Sequence, residues 1–174
     1  MGKPAVPKKV LLFVSALYRD KEVYYNSLDS LEKIFGEILI ESSPKEWNYS
    51  DYYKPEIGSP LFKRFVFFKN LISEAHIADI KLKTNQIEGK YSENCKRKIN
   101  LDPGYISTAK LVLATTKDYS HRIYLKDGIY GEVTLIFKKN TFCSAINTYR
   151  DYEDLENIKL FNLARKIYKE LLID

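Results

Sequence analysis

Apolar and polar positions along this chain alternate with two different periods, and each change of period marks an element. Residues 8–17, KKVLLFVSAL, are a short apolar, β-branched run that predicts a buried strand. Asp20 then offers an N-cap, with acidic Glu22 in the first turn. Leu28, Leu31 and Phe35 recur at helical spacing and Gly36 supplies a stop, which predicts a helix over about residues 21–35. EILIES (37–42) predicts a second strand. The stretch SPKEWNYSDYYKPEIGSP is too polar and too broken by proline for a helix, and reads as a long connection. LFKRFVFFKN (61–70) predicts the next strand. Ser73 then caps a helix whose Ile77, Ile80, Thr84 and Ile87 share one face and which ends near Gly89.

The second half is less uniform. KINLDPGYIS (98–107) is extended, with a turn expected at Pro103-Gly104. In STAKLVLATTKD, Ala109, Val112, Leu113 and Thr116 fall at helical spacing behind Ser107, predicting a short helix; the run Leu111-Val112-Leu113 suits a strand as the alternative. HRIYLKDGIYGEVTLIFKKNTF (121–142) predicts a β-hairpin. A three-residue loop, Lys126-Asp127-Gly128, sets Arg122 opposite Glu132. That register sorts Ile123, Leu125, Ile129, Val133 and Leu135 onto one face, and Arg122, Tyr124, Tyr130, Glu132 and Thr134 onto the other. A closing helix over about residues 154–172 carries the stripe Leu160, Leu163, Ala164, Ile167 and Leu171. The pattern predicts one domain over residues 1–174 of the α+β class. Its antiparallel or mixed sheet is covered by about four helices, and a ferredoxin-like core with additions is the candidate arrangement.

Composition narrows the function classes. With 45% hydrophobic residues, the chain can bury a sizeable core. No run of about eighteen apolar residues occurs, so no membrane-spanning helix and no membrane partner are expected. The apolar stretch near the N-terminus is short and meets Arg19-Asp20 at once, unlike a signal peptide, and a cytoplasmic location is expected. Cys95 and Cys143 lack a paired spacing and are expected to be free thiols. A net charge of +5 permits an anionic partner without demanding one, and the 14 tyrosines supply rings that pack while their hydroxyls reach a ligand.

The motifs exclude more than they assign. There is no GxxxxGK[ST] to wrap phosphates, and GxGxxG, HExxH and GxSxG are also absent. Two distant cysteines and two histidines do not make a structural zinc site, no metal is assigned, and the cofactor is left unknown. Asp51, Glu56, Asp102, Asp118 and Glu132 are oxygen donors of the kind Mg²⁺ takes, but their spacing shows no convergence and solvated carboxylates are expected. KRFVFFK (63–69) interleaves basic and aromatic residues and gives weak support to a nucleic-acid partner; a core strand with basic ends is the preferred reading.

The densest chemistry lies in TTKDYSHRIYL. His121 is the best acid-base candidate, with Asp118 beside it and Glu132 on the facing strand. The plain reading of His121 is a satisfied, partly buried ring. Arg122 and Glu132 are expected to form a solvated cross-strand pair, or else an anion clamp flanked by Tyr124 and Tyr130.

The stretch NLDPGYISTAKLVLATTKDYSHRIYLKDGIYGEVTL, together with DYYKPEIG, IKLKTNQIE, RKINLDPGY and TYRDY, resembles an uncharacterised prokaryotic family, domain of unknown function 4416. The resemblance covers nearly the whole chain, although Ile57 stands where that family commonly has Met. Members are often labelled GTP-binding proteins, but the missing P-loop argues against specific tight GTP binding. The resemblance implies no catalytic residue. Its motif stretches hold Asp51, Tyr52, Tyr53, Asn85, Asp102, Lys110, Thr116, Lys117, Asp118, His121, Arg122 and Glu132, a set more polar than a plain core requires. Three functions follow as expectations. The first is binding of a small anionic ligand, a nucleotide or phosphorylated metabolite. Lys117, Arg122 and Lys110 would meet its charge, Asp118, His121 and Glu132 would orient it or move protons, and Asn85, Asp51, Tyr53 and Tyr124 would complete the pocket. The alternatives are an RNA-binding module and a non-catalytic assembly subunit.

Overall fold

The computed structural model describes residues 2–173. Among them the chain forms, in order, β1 (Leu11–Tyr18), α1 (Lys21–Phe35), β2 (Ile38–Glu41), β3 (Lys45–Glu46), α2 (Lys54–Ile57), β4 (Phe62–Phe68), α3 (Ile77–Lys90), β5 (Ser92–Glu93), β6 (Lys96–Arg97), β7 (Ile99–Ile106), β8 (Lys110–Thr115), β9 (Ile123–Lys126), β10 (Ile129–Lys138), β11 (Thr141–Ser144), α4 (Arg150–Glu153) and α5 (Leu155–Leu171). Local chemistry sets several of these limits. The Asp20 side chain accepts the Glu22 N–H at 2.8 Å to start α1, and Gly36, at φ 93°, ends it. Ser73 caps a short 3₁₀ turn, Glu74–His76, that runs directly into α3.

The main sheet has the order β11-β10-β8-β7-β1-β4-β2, with β3 also on β4 and β9 also on β10. Each of these pairings is antiparallel, so the fold is α+β around one large antiparallel sheet. β1 sits in the middle and is buried along its full length. Strand alternation sends Leu12, Val14, Ala16 and Tyr18 toward α1 and α3, where Tyr24, Leu31, Ile77, Ile80 and Ile87 meet them. Leu11 and Phe13 point the other way, onto Phe161, Ala164 and Tyr168 of α5. Covered on both faces, β1 reads as a continuous apolar run rather than an alternating one.

Three expectations are corrected. Residues 107–118 do not form a helix: Lys110–Thr115 is strand β8, with Leu111, Val112 and Leu113 buried between β7 and β10. A three-residue apolar run has no period of its own, and the two neighbouring strands decide its conformation. Ser107 instead shapes the β7–β8 turn, its hydroxyl accepting the Lys110 N–H at 3.2 Å.

Pro103-Gly104 is not a turn but lies inside β7. β8 pairs with β7 only from Gly104 to Ile106, so below Gly104 that edge of β7 is open. Two α3 side chains fill the opening: Glu88 Oε1 accepts the Leu101 N–H at 2.6 Å, and Lys81 Nζ donates to the Leu101 carbonyl at 2.8 Å. Alternation turns the Pro103 nitrogen to the same opening, so the missing N–H removes no ladder bond. Gly104 leaves room for the Val112 carbonyl and the Phe13 ring, which a side chain would strike.

The hairpin loop has two residues rather than three. Lys126 pairs with Ile129 around Asp127 and Gly128, both at positive φ (50° and 75°). A bulge between Ile129 and Tyr130 then shifts the register by one, pairing Tyr124 with Tyr130 and Ile123 with Gly131. Arg122 therefore still comes opposite Glu132, by a different route. The expected burial holds only in part. Ile129 and Leu135 are buried and Tyr124 is exposed as expected, but Ile123 is 72% exposed and Leu125 and Val133 are also exposed, while Glu132 and Thr134 are buried. Arg122 and Glu132 are covered by the segment leading into α4, through Tyr149.

Candidate functional site

The pairing registers lay side chains in rows across the α5 side of the sheet. Leu17 lies between Lys63 and Asn100, and Ser15 between Phe65 and Asp102. On the next strands Leu113 lies between Gly104 and Glu132. The aromatic core of this face stops at Phe13 and Phe65, and the polar rows begin where α5 no longer covers the strands. Trp47 and Tyr53, from the connection between β2 and β4, and Tyr149, Asp151 and Tyr152, at α4, roof these rows. They enclose a cavity of about 180 Å³, which Arg97, Thr116 and Lys117 also line.

Ion pairs tie its walls together. Lys63 pairs with Asp151, both nearly buried, and Asp151 Oδ2 also accepts the Trp47 indole N–H at 3.2 Å. Asp102 keeps 34% of its side chain accessible; Lys81 Nζ lies 3.0 Å from its Oδ1, and Asn100 Nδ2 donates to Oδ2 at 2.6 Å. Burial works against ionisation of Asp102, but Lys81, Lys63 and Asn100 together outweigh it and hold the carboxyl below its usual range. Arg97 grips Glu56 through Nε at 2.6 Å and Nη2 at 2.9 Å, and its Nη1 reaches Glu88 at 3.0 Å and Asn100 at 2.8 Å. The bond from Arg97 lowers the Glu56 pKa, whereas burial raises that of Glu88.

Arg122 is built into the wall. It donates from Nε to Glu132 Oε2 at 2.7 Å, from Nη1 to the Lys117 carbonyl at 2.9 Å and from Nη2 to the Tyr149 hydroxyl at 2.7 Å. His121 Nε2 lies 3.0 Å from the same Glu132 oxygen. The Arg122 and Glu132 side chains are 5% and 3% accessible, so this pair is buried rather than solvated as the sequence suggests. Burial first, then the charge of Glu132, pushes the Tyr149 phenol up to about 12. Tyr152 is buried deeper, its phenol is raised well above the ordinary value by burial and by Asp151 against a small opposing effect of Ser15, and among the described residues its hydroxyl makes no well-formed hydrogen bond.

Lys63, Lys81, Arg97 and Arg122 are thus each matched by a carboxylate. Lys117 is not. Its Nζ donates to the Tyr52 hydroxyl at 2.9 Å and sits 4.3 Å from that ring's centre, and among the described residues no carboxylate lies within ion-pair distance of it.

Of the residues singled out in the sequence, Tyr53, Asp102, Thr116, Lys117 and Glu132 line the cavity and Arg122 stands behind its wall. His121 reaches Glu132 from outside and, with Lys110, borders a separate groove. Asp118 is exposed, and Asn85 is half-buried on α3 outside the cavity. Asp51 is exposed and pairs with Lys54 at 2.6 Å, and Tyr124 is exposed against Tyr130 with ring centres 5.5 Å apart. The carboxylates considered for Mg²⁺ are dispersed: Glu56, Asp102 and Glu132 are each held by a base, and among the described residues no three His, Cys, Asp or Glu side chains gather as ion ligands. Ser15, Lys63, Arg97, Tyr149 and Asp151 escape the sequence reading. The traces they leave are a serine inside the apolar run of β1, a lysine in phase with the buried Phe65 and Phe67, and the family stretches RKINLDPGY and TYRDY, which hold Arg97, Tyr149 and Asp151.

Among the described residues no helix is long and apolar enough to cross a membrane. One family model, described as Domain of unknown function (DUF4416), matches residues 8–168. No curated protein and no solved structure matches the chain.

Proposed function

We propose that this chain, which belongs to the DUF4416 family, binds a small anionic ligand, of the phosphorylated class, in the cavity under Trp47, Tyr53 and Tyr149. The observation that carries the reading is Lys117, an exposed side chain that lines the cavity and whose ammonium group, among the described residues, has a tyrosine and no carboxylate as its partner. An anion offers it a stronger, charge-assisted bond. Lys63 retains donor capacity beyond its bond to Asp151, and the unpartnered Tyr152 hydroxyl adds a further donor. A volume of about 180 Å³ takes up roughly six waters. That suits a phosphate or small carboxylate head rather than a whole nucleotide. Glu132, already engaged by Arg122 and His121, shapes the wall.

Phe65, Phe67 and Phe68 are buried, so β4 presents no stacking surface to nucleic acid. The order β7-β1-β4-β2, with α1 and α3 on one face, supports a ferredoxin-like core to which β8 to β11 and α5 are added. Both cysteines are free, which fits the reducing cytoplasm in which we place the protein.

Calorimetry with inorganic phosphate tests the reading. Saturable binding is expected, weakened about tenfold or more in Lys117→Met, because a hydrogen bond to a charged group contributes roughly 1.5–3 kcal/mol. Absence of binding to the wild-type protein refutes the proposal.

A further inference from the structure

The cavity has a neighbour. A second hollow of about 390 Å³ lies between the β2–β4 connection and the start of α5, lined by Pro44, Trp47, Tyr49, Phe65, Asn157 and Leu160 among others. The two hollows share Trp47, Lys63 and Asp151. The partition between them is therefore one hydrogen-bonded unit in which Asp151 accepts from both Lys63 and the Trp47 indole. The sides differ in chemistry. The inner hollow carries charged and hydroxyl groups. The outer one offers the aromatic and aliphatic surface of Pro44, Trp47, Tyr49, Phe65 and Leu160, with the charged Lys45, Glu46 and Glu156 at its rim. The inner volume, about 180 Å³, is too small for a metabolite with both a head and a body; the outer one, about 390 Å³, lies at the low end of the usual range for small-molecule pockets, and the two together, about 570 Å³, fall well inside it.

We propose that the two hollows are halves of one bipartite site, and that its ligand is a phosphorylated molecule with a flat ring body. The phosphate enters the inner half beside Lys63 and Lys117, and the ring lies in the outer half against Trp47 and Tyr49. Asp151 acts as the hinge of the partition: when Lys63 turns to the phosphate, the Asp151 carboxylate keeps the indole N–H. This inference rests on the anionic-ligand reading above and adds the body of the ligand to it.

Trp47 is the only tryptophan of the chain, so its fluorescence reports on the partition alone. Inorganic phosphate, phenyl phosphate and phenol are titrated into the wild-type protein by calorimetry and by fluorescence. Phenyl phosphate is expected to bind at least about tenfold more tightly than phosphate, a difference of about 1.4 kcal/mol, and to change Trp47 emission saturably; phenol is expected to bind more weakly than either. Leu160→Trp, which fills the outer half, is expected to remove the phenyl increment and leave phosphate affinity within twofold. Its emission is not used, because it adds a second indole. Equal affinity of phosphate and phenyl phosphate in the wild-type protein overturns the bipartite site and leaves the anionic-ligand reading standing. Failure of both to bind overturns both.

Discussion

Replacing Arg122 by methionine keeps most of the side chain's volume and deletes its charge. The structure fixes what is lost: three hydrogen bonds, to Glu132, to the Lys117 carbonyl and to the Tyr149 hydroxyl. It also fixes what is left behind. Glu132, 3% accessible, is left with the His121 ring, whose Nε2 lies 3.0 Å from its Oε2. An exposed ion pair contributes about 0.2–1 kcal/mol, but stranding one member of a buried pair costs about 3–5 kcal/mol. With a urea slope of roughly 2 kcal/mol per molar, the midpoint of unfolding should fall by about 1.5–2.5 M. Glu132→Gln in the same background removes the stranded charge and should recover part of that loss, giving a non-additive cycle. Circular dichroism during urea titration of the four proteins measures this. A shift under about 0.5 M for Arg122→Met would mean that the pair is solvated in solution and that the hairpin does not brace the cavity.

Other expectations follow from particular contacts. Gly104→Ala drives a methyl group into the Val112 carbonyl and the Phe13 ring, and overpacking of this kind costs about 1–3 kcal/mol; a melting temperature equal to wild type would contradict that close approach. Glu56 has its pKa lowered from 4.5 by the bond from Arg97, so its contribution is present above that ordinary value and is lost as pH falls through the lowered one. The stability gap between wild type and Glu56→Gln should therefore close on acidification, and urea midpoints that keep a constant gap from neutral pH to pH ~3 would count against it. GTP should bind no more tightly than ATP, since the chain has no P-loop to wrap the phosphates; calorimetry showing micromolar affinity with preference for GTP would show this to be wrong.

How far the sequence carries depends on how local the deciding physics is. α1 is legible to the residue because its start, stripe and stop are all written within the helix, from Asp20 to Gly36. The apolar face of α3 is legible for the same reason. β8 is not, because Leu111-Val112-Leu113 satisfies either period and strands on both sides make the choice. Pro103-Gly104 misleads because turn chemistry is assumed for a pair that sits where a neighbouring strand has ended. The hairpin shows a subtler failure. The pattern places Arg122 opposite Glu132, but it cannot show which positions the rest of the chain covers, and Glu132 and Thr134 are buried while Ile123 and Val133 are exposed. The site is half legible for similar reasons. Lys117, Tyr53 and Glu132 stand in polar motif stretches. Lys63 and Asp151 lie 88 positions apart and meet only through strand register and the placement of α4.

The gap between β7 and β8 makes the sheet permeable to influence from its far side. Lys81 and Glu88 are rooted in α3, in the layer opposite the cavity, yet their side chains pass through the missing ladder and Lys81 helps to lower the Asp102 pKa. Tolerance to substitution will therefore not fall off smoothly with distance from the ligand. In a saturation-mutagenesis screen selected for ligand retention, positions 81 and 88 should behave as site residues although neither touches the cavity, and suppressors of Asp102 variants should map to the helix behind it.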